Sequence, residues 1–300
     1  MRSARLAFIA LLFLSAIVPR TAWCQNPLPA RPGSINYVEG QATIGADPLS
    51  VASIGSVELA KDRTLTTQAG KVEILLIPGV FLRVADNSTV KMVSPELANT
   101  EVELDKGRAL IEVIDIHKEN NIQIDQNGAT TRLVKNGLYD FDADHSQIHV
   151  LKGEAQVRAG NQEVKLKDKR MVAITTGGPL KGQGFESRQY EDEFYRWSAL
   201  RSGYLSEASI DAARIYVGPG PGWYGPGWIG LGWYWNPWYG VYTFLPADRI
   251  FWSPFGWRYY SPIFVYRSPY LYGPHFPHRF GEFHGPYGHG YGTPRRRFRR

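Results

Sequence analysis

Along residues 35–174, Val, Ile, Leu and Thr recur at about every second position, interrupted by Gly, Asn and Asp. Alternation with period two marks a half-buried strand, because successive side chains point to opposite faces. "EVEL" (101–104), "NIQID" (121–125) and "YDFDAD" (139–144) alternate cleanly. The pattern predicts strand after strand and no helix of useful length. "VEILLI" (72–77) departs from it, being almost wholly apolar. Such a run predicts a strand buried on both faces. Pro78 and Gly79 follow it and predict a turn, with "VFLRV" (80–84) returning as the hairpin partner. A stretch of 140 residues is long enough to bury a real core.

A short motif echoes through this region. "VEGQATI" (38–44), "KGRALIEV" (106–113) and "LKGEAQV" (151–157) each place a glycine just ahead of a strand that begins near a small Ala. Glycine permits the positive φ of a tight corner. The spacing between copies is too irregular for a solenoid, so a curled, duplicated antiparallel sheet or sandwich is expected. The same residues carry a family likeness. "LTTQAGKVEILLIPGVFLRVADNSTVKM" (65–92), "ELDKGRALIEV" (103–113) and "GLYDFDADHSQIHVLKGEAQV" (137–157) together resemble the FecR-type domain, over about residues 35–175. The resemblance implies an exported β module without catalytic machinery. The family's best-known members are transmembrane regulators that hold a sigma factor on the cytoplasmic side. The expectation here is the module without that cytoplasmic segment.

The period changes after a linker containing Gly177, Gly178, Pro179, Gly182 and Gly184. Tyr190, Phe194, Trp197 and Arg201 stand at i, i+4, i+7 and i+11, one stripe of a helix over residues 187–201. Ser187 is its expected cap, and Glu191, Asp192 and Glu193 favour its N-terminal end. A second short helix is expected near 207–214. Beyond it lies "GWYGPGWIGLGWYWNPWYGVY" (222–242), inside a run from Ile215 to Ala247 with no charged residue. Residues 216–298 hold 27 of the chain's 40 aromatics, interleaved with Gly and Pro. That interleaving prevents a regular helix, so the uncharged run is not a membrane span. Three uses of the rings stay open. They fold back on the β body, they stack on sugars or peptidoglycan, or they sit at a lipid headgroup layer. Two strands are expected around "PADR" (246–249).

The N-terminus sets the compartment. Arg2 and Arg5, an apolar stretch over 6–18 and then "TAWCQ" have the order of a secretory signal peptide. Cleavage before Gln25 would remove Cys24, the only cysteine; acylation of Cys24 as a lipoprotein is the rival reading. Charge is unevenly spread. Residues 25–214 hold 22 basic and 26 acidic side chains, a net of −4, whereas residues 215–300 hold 9 and 2, a net of +7. Five of those nine are Arg295, Arg296, Arg297, Arg299 and Arg300, a run suited to anionic lipid or wall polymer outside the cytoplasm, or a plain solvated terminus.

The chemistry of enzymes is not visible. Asp142, Asp144 and His145 are neighbours at an expected hairpin turn, but no G-x-S-x-G, H-E-x-x-H or dinucleotide fingerprint accompanies them. His275 and His278, with His284 and His289 nearby, have no acidic or cysteine partner to define a metal site. No cofactor, metal, nucleic acid or catalytic residue is therefore expected. The expected organisation is a signal peptide (1–24), a FecR-like β domain (30–178), a helical connector (185–214), an aromatic Gly/Pro-rich segment (215–265) and a disordered tail (266–300). The expected role is a non-enzymatic envelope or secreted scaffold. Its candidate contacts are Trp223, Trp228, Trp233, Trp235, Trp238 and the five terminal arginines. Its expected partners are cell-wall polysaccharide, anionic lipid or an envelope protein. An extracytoplasmic sensor and a wall-glycan enzyme are the alternatives.

Overall fold

The computed structural model describes residues 29–175, 177–216 and 230–268. Fifteen strands form one mixed, open sheet: β1 Ile35–Ile44, β2 Asp47–Pro48, β3 Thr64–Ile77, β4 Val80–Val84, β5 Thr89–Glu96, β6 Asn99–Lys106, β7 Arg108–Val113, β8 Asn121–Gln126, β9 Ala129–Leu133, β10 Gly137–Asp142, β11 Gln147–Lys152, β12 Glu154–Ala159, β13 Gln162–Lys167, β14 Arg170–Ala173 and β15 Gln183–Gly184. Helix α1 follows, Glu193–Ile215. Two hairpins come next, β16 Gly232–Asn236 with β17 Val241–Leu245, and β18 Ile250–Trp252 with β19 Arg258–Tyr260. The short α2, Pro262–Arg267, closes the described chain.

The sheet runs β13-β12-β9-β8-β6-β5-β3-β4-β7-β10-β11-β14-β15, with β1 and β2 attached to β3. All neighbours are antiparallel except β6 and β8. The sheet curls until β13 approaches β14, so the inward side chains of its two arms share one core. Ile74 and Leu82 from the middle meet Val102, Ile122 and Val157 from the arm in that core. The expected turn at Pro78-Gly79 is present, joining β3 to β4, with Gly79 at φ 85°.

The echoed glycines share one cause. Gly40, Gly107 and Gly153 have φ of 68°, 76° and 107°. At Gly107 a methyl group would stand 2.2 Å from Ser88 Oγ and 2.7 Å from Ser88 Cα, so the corner between β6 and β7 has no room for a side chain. The first stretch of the region contains no α-helix, only a 3-10 turn at Val51–Ser53.

Two local expectations are corrected. The helix is one continuous piece of 23 residues, not two, and it begins at Glu193; Ser187–Tyr190 forms a 3-10 turn. Asp192, not Ser187, caps it, its Oδ1 accepting from Tyr195 N at 2.9 Å. The two strands expected around "PADR" are present as β17 and β18, each pairing with a different neighbour, β16 and β19. Pairing there runs across the Asn236–Gly240 and Ser253–Trp257 corners, each closed by a backbone hydrogen bond of 2.8 Å.

Gly107→Ala is expected to lower the free energy of unfolding by about 2 kcal/mol or more, since it adds positive-φ strain to a steric overlap. Urea titration would read it as a lower midpoint, and an unchanged midpoint would mean the corner relaxes without cost.

Candidate functional site

The outer face of the central strands should be wet in a simple sandwich. Here it is covered by α1 and the two aromatic hairpins. Leu75 of β3, Phe81 of β4 and Ile114 pack against Leu205 and Ala208 of the helix and against Val241, Tyr242, Phe244 and Tyr259. That explains why 72–77 is apolar on both faces apart from Glu73, as its pattern implied.

The helix can sit this close because its buried face is small. Ser198, Ser202, Ser206, Ser209, Ala208, Ala212 and Ala213 line it. Their hydroxyls bond across the interface, Ser206 to Arg258 O at 2.6 Å and Ser209 to Phe244 O at 3.1 Å.

Charged groups lie inside this interface. Glu73 and Arg83 are register partners on β3 and β4, and Arg83 Nε lies 3.0 Å from Glu73 Oε2. Arg83 Nη2 stands 2.7 Å from Glu112 Oε2 of β7, held by charge without a well-aligned hydrogen bond. Arg201 of α1 reaches Glu73 Oε1 at 3.0 Å, with its guanidinium 3.9 Å from the Tyr37 ring centre. Asn36 donates to the same Glu73 oxygen at 3.0 Å and to Tyr242 O at 3.0 Å, and accepts from Tyr242 N. Ser202 donates to Glu112 Oε1 at 2.6 Å, and Ser253 bonds the same oxygen. Two carboxylates and two guanidiniums cancel. Burial alone would raise the Glu73 pKa, but Arg201 and Arg83 outweigh it and hold the carboxyl below its usual range. Burial likewise opposes the charge on Arg83, and Glu112 and Glu73 overcome it.

A second charged group lies further along the same face. Arg108 binds Asp140 at 2.8 Å and also pairs with the helix cap Asp192. Across β10 and β11, Asp140 neighbours His149. The His149 ring is buried between Phe185 and Tyr190, with centroids 5.2 and 4.2 Å away, and neither ring nitrogen has a hydrogen-bond partner among the described residues. Burial holds its pKa below the ordinary histidine value, partly opposed by Asp140. Beside this group an open cleft of about 660 Å³ lies between the Gly40, Gly70 and Gly107 backbone and the start of α1. Asp142, Asp144 and His145 border it. Their side chains hold the turn, since Asp142 accepts from His145 N at 2.9 Å and Asp144 from Gly107 N at 3.0 Å.

The sequence-expected contact residues fall into three groups. Trp233 and Trp235 are part-buried in the cap; Trp233 stands edge-on to Phe81 at 4.9 Å and Trp235 to Tyr242 at 5.1 Å. Trp238 is 84% exposed at the β16–β17 turn. Trp223, Trp228, Arg295, Arg296, Arg297, Arg299 and Arg300 lie outside the described residues, as do the four tail histidines and residues 1–24, where a signal peptide was expected. Among the described residues no cluster of three His, Cys, Asp or Glu is arranged to hold a metal ion, and no helix is long and apolar enough to cross a membrane. Of the helical stripe, Phe194 and Arg201 are buried and Trp197 donates to Glu39 at 2.9 Å. The buried network was not anticipated. Its sequence signal was a lone charge inside each of three apolar runs, "VEILLI" (72–77), "VFLRV" (80–84) and "ALIEV" (109–113).

Residues 62–156 match the family model described as FecR protein, so the chain carries a FecR-type domain inside the stretch that resembled one. No curated protein matches the chain. Two crystal structures of a candidate anti-sigma factor from Parabacteroides distasonis are similar to it, each 12% identical with a TM-score of 0.37. The structure at 1.65 Å covers 46% of this chain, which spans 63% of that one; the structure at 2.50 Å covers 61%, with 97% of its own length matched.

Two measurements test the interior. Arg201→Met should cost roughly 3–5 kcal/mol of stability, because Glu73 loses a partner where water does not replace it. Arg158→Ala, which breaks an exposed pair, should cost about 1 kcal/mol or less. Equal urea midpoints for the two variants would show that the buried network is energetically idle. For His149 the folded pKa is the lower one, so the unfolded chain binds the extra proton. Stability is intact above the unfolded value of about 6.5 and declines as pH falls from there toward the folded value. His149→Phe should therefore lose less stability than the parent between pH 7.5 and 5.5, and parallel losses would contradict the assignment.

Proposed function

We propose that this chain is a non-enzymatic binding module of the bacterial envelope, with the FecR-type domain as scaffold and the aromatic C-terminal region as its docking edge. The observation that carries the reading is the display of Trp238. Asn236 is buried and donates to Ala208 O of α1 at 3.0 Å, while its Oδ1 accepts from the backbone N of Trp238 at 3.0 Å. The turn is thereby fastened to the helix, and it holds a large ring out in water at little entropic cost. Trp252 adds a second ring, 56% exposed, with the Arg258 guanidinium 4.3 Å from its centre. Flat rings on rigid turns suit sugar faces of wall polymer or the headgroup layer of a membrane. The signal-peptide pattern of residues 1–24 supports a location outside the cytoplasm, periplasmic or extracellular. The arginines of residues 295–300 would add attraction to an anionic surface.

The FecR match also favours a second reading, an extracytoplasmic sensor that binds a membrane protein. Crosslinking in the native host separates the two. One membrane protein recovered in stoichiometric yield, with no retention on purified sacculi or anionic vesicles, would favour the sensor.

For the first reading, Trp238→Ala should weaken retention on sacculi or on anionic vesicles about tenfold or more, given roughly 1–3 kcal/mol for a stacked ring in the comparable nucleobase case. Its melting temperature should stay at the parental value. Trp233→Ala should do the reverse, lowering the melting temperature because the ring fills space against Phe81. Retention that is indifferent to Trp238→Ala would remove the docking edge from the proposal.

A further inference from the structure

The far arm of the sheet has an outer face that nothing covers among the described residues. Here the side chains stand in rows across the strands. Register places Glu101, Gln123, Arg132, Gln156 and Lys165 side by side on β6, β8, β9, β12 and β13. A second row holds Glu103, Asp125, Thr130, Arg158 and Glu163. Strands lie about 4.8 Å apart, so each row extends roughly 19 Å. The opposite side chains of these strands, among them Ile122, Ile124, Ala155 and Val157, are in the core, which fixes the rows to face outward.

Between the rows runs a shallow groove of about 370 Å³. Its polar groups are of few kinds: the amides of Asn121, Gln123 and Gln156, the Thr130 hydroxyl, two guanidiniums and the Glu163 carboxylate. Arg158 is matched by Glu163 at 3.1 Å. Arg132 has no ion pair or side-chain hydrogen bond with any described residue, and Gln123 and Gln156 flank it with unbonded amides. The groove lining therefore keeps one unmatched positive charge at its centre, while Lys165 beside it is matched by Glu154 at 2.6 Å.

We infer that this groove binds a carboxylate-bearing polysaccharide, laid across the strands with one acid group on Arg132. A guanidinium fork matches a carboxylate with two parallel hydrogen bonds. An amide offers a donor and an acceptor together, as a sugar hydroxyl does. The repeat of polar side chains from strand to strand suits a ligand that also repeats. The lining has no aromatic anchor of the kind that dominates protein interfaces, which disfavours a protein occupant. The cleft beside α1 is a weaker candidate, since its Arg108 is already matched by Asp140 and Asp192. The inference deepens the envelope-binding reading by naming a ligand class, but it uses residues remote in sequence from the aromatic edge.

The test is binding of a defined oligogalacturonate to the full-length protein at 0.15 M salt, beside a neutral glucan of equal length and free galacturonate. The parent should bind the acidic oligomer and neither of the others appreciably. Arg132→Gln should weaken that binding at least tenfold, and Arg132→Lys should restore only part of it, because the charge returns without the fork. Both variants should melt with the parent, as Arg132 is exposed and unbonded. Trp238→Ala should leave oligomer binding in place. Equal binding by Arg132→Gln, equal binding of the neutral glucan, or no binding of the acidic oligomer would each overturn the inference. Loss on Trp238→Ala but not on Arg132→Gln would overturn it too, while leaving the docking edge standing. Retention on neither sacculi nor vesicles, with Arg132-dependent oligomer binding, would sustain the groove and remove the docking edge.

Discussion

Arg83 has no access to water, and the rest of the architecture follows from that. A guanidinium on the outer face of a sheet is ordinary when the face is wet. Here the face is covered, so the charge must be matched within the protein. Glu73 and Glu112 do so from the neighbouring strands, and Arg201 then matches the second charge of the pair. Arg201 comes from α1 and Ser253 from the turn between β18 and β19, so the network is complete only when helix and hairpins are seated. Buried ion groups of this kind are poor sources of net stability compared with apolar packing. Their strength is directional. A helix slid by one turn would leave Glu73 and Ser202's partner Glu112 short of bonds, so the network selects one seating of the cap from the many an apolar surface would tolerate.

The aromatic segment answers two demands at once. Trp233, Tyr242, Phe244 and Tyr259 bury large areas without a long regular element, which is what a short Gly/Pro-rich chain needs in order to cover a sheet. The same chain, at its turns, leaves Trp238 and Trp252 outside. Burial pushes the pKa of the Tyr242 hydroxyl up to about 12. Of the uses of the rings that composition left open, folding back on the β body is the one seen in the packing of Trp233, Tyr242, Phe244 and Tyr259. Rings on β17 and β19 pack inward, as do Tyr239, Phe255 and Trp257 at the corners, and only Trp238 and Trp252 among the described rings are left mostly in solvent.

Legibility in the sequence tracked the strength of periodicity. Strands such as β6 and β8 could be read because one face is core and the other water, giving strict alternation. The doubly buried β3 could be read because it lacks alternation. The helix was half legible. Its N-terminal half carries Phe194 and Trp197, whose spacing is plain, whereas beyond Arg201 its buried face is Ser and Ala, which hydropathy does not distinguish from a surface. Hairpin partners beyond residue 230 were not legible, since β16, β18 and β19 are aromatic on both faces and β17 is apolar on both but for Thr243, so alternation selects no partner. The buried network was illegible as a network, because nothing local says that Glu73, in one strand, and Arg201, 128 positions later, meet. The apolar residues of the β domain do not all face its own core. Leu75 and Phe81 point to the other face and find their partners in the cap.

The two outer faces of one sheet therefore have opposite electrostatic designs. Under the cap, charges are matched pairwise and the sum is zero, as a dry interior requires. On the arm formed by β8, β9, β12 and β13, rows of charge stay in water, where an unmatched Arg132 costs little and remains available. A surface guanidinium held between two amides by strand register loses less freedom on binding than one on a loop, because the backbone beneath it is bonded on both sides. The sheet's curl makes this possible. By turning the apolar sides of both arms toward one core, it leaves the central outer face to the cap and the distal outer face to solvent. A single fold thus presents a covered face that fixes its own C-terminal region and an open face with the chemistry to hold something else.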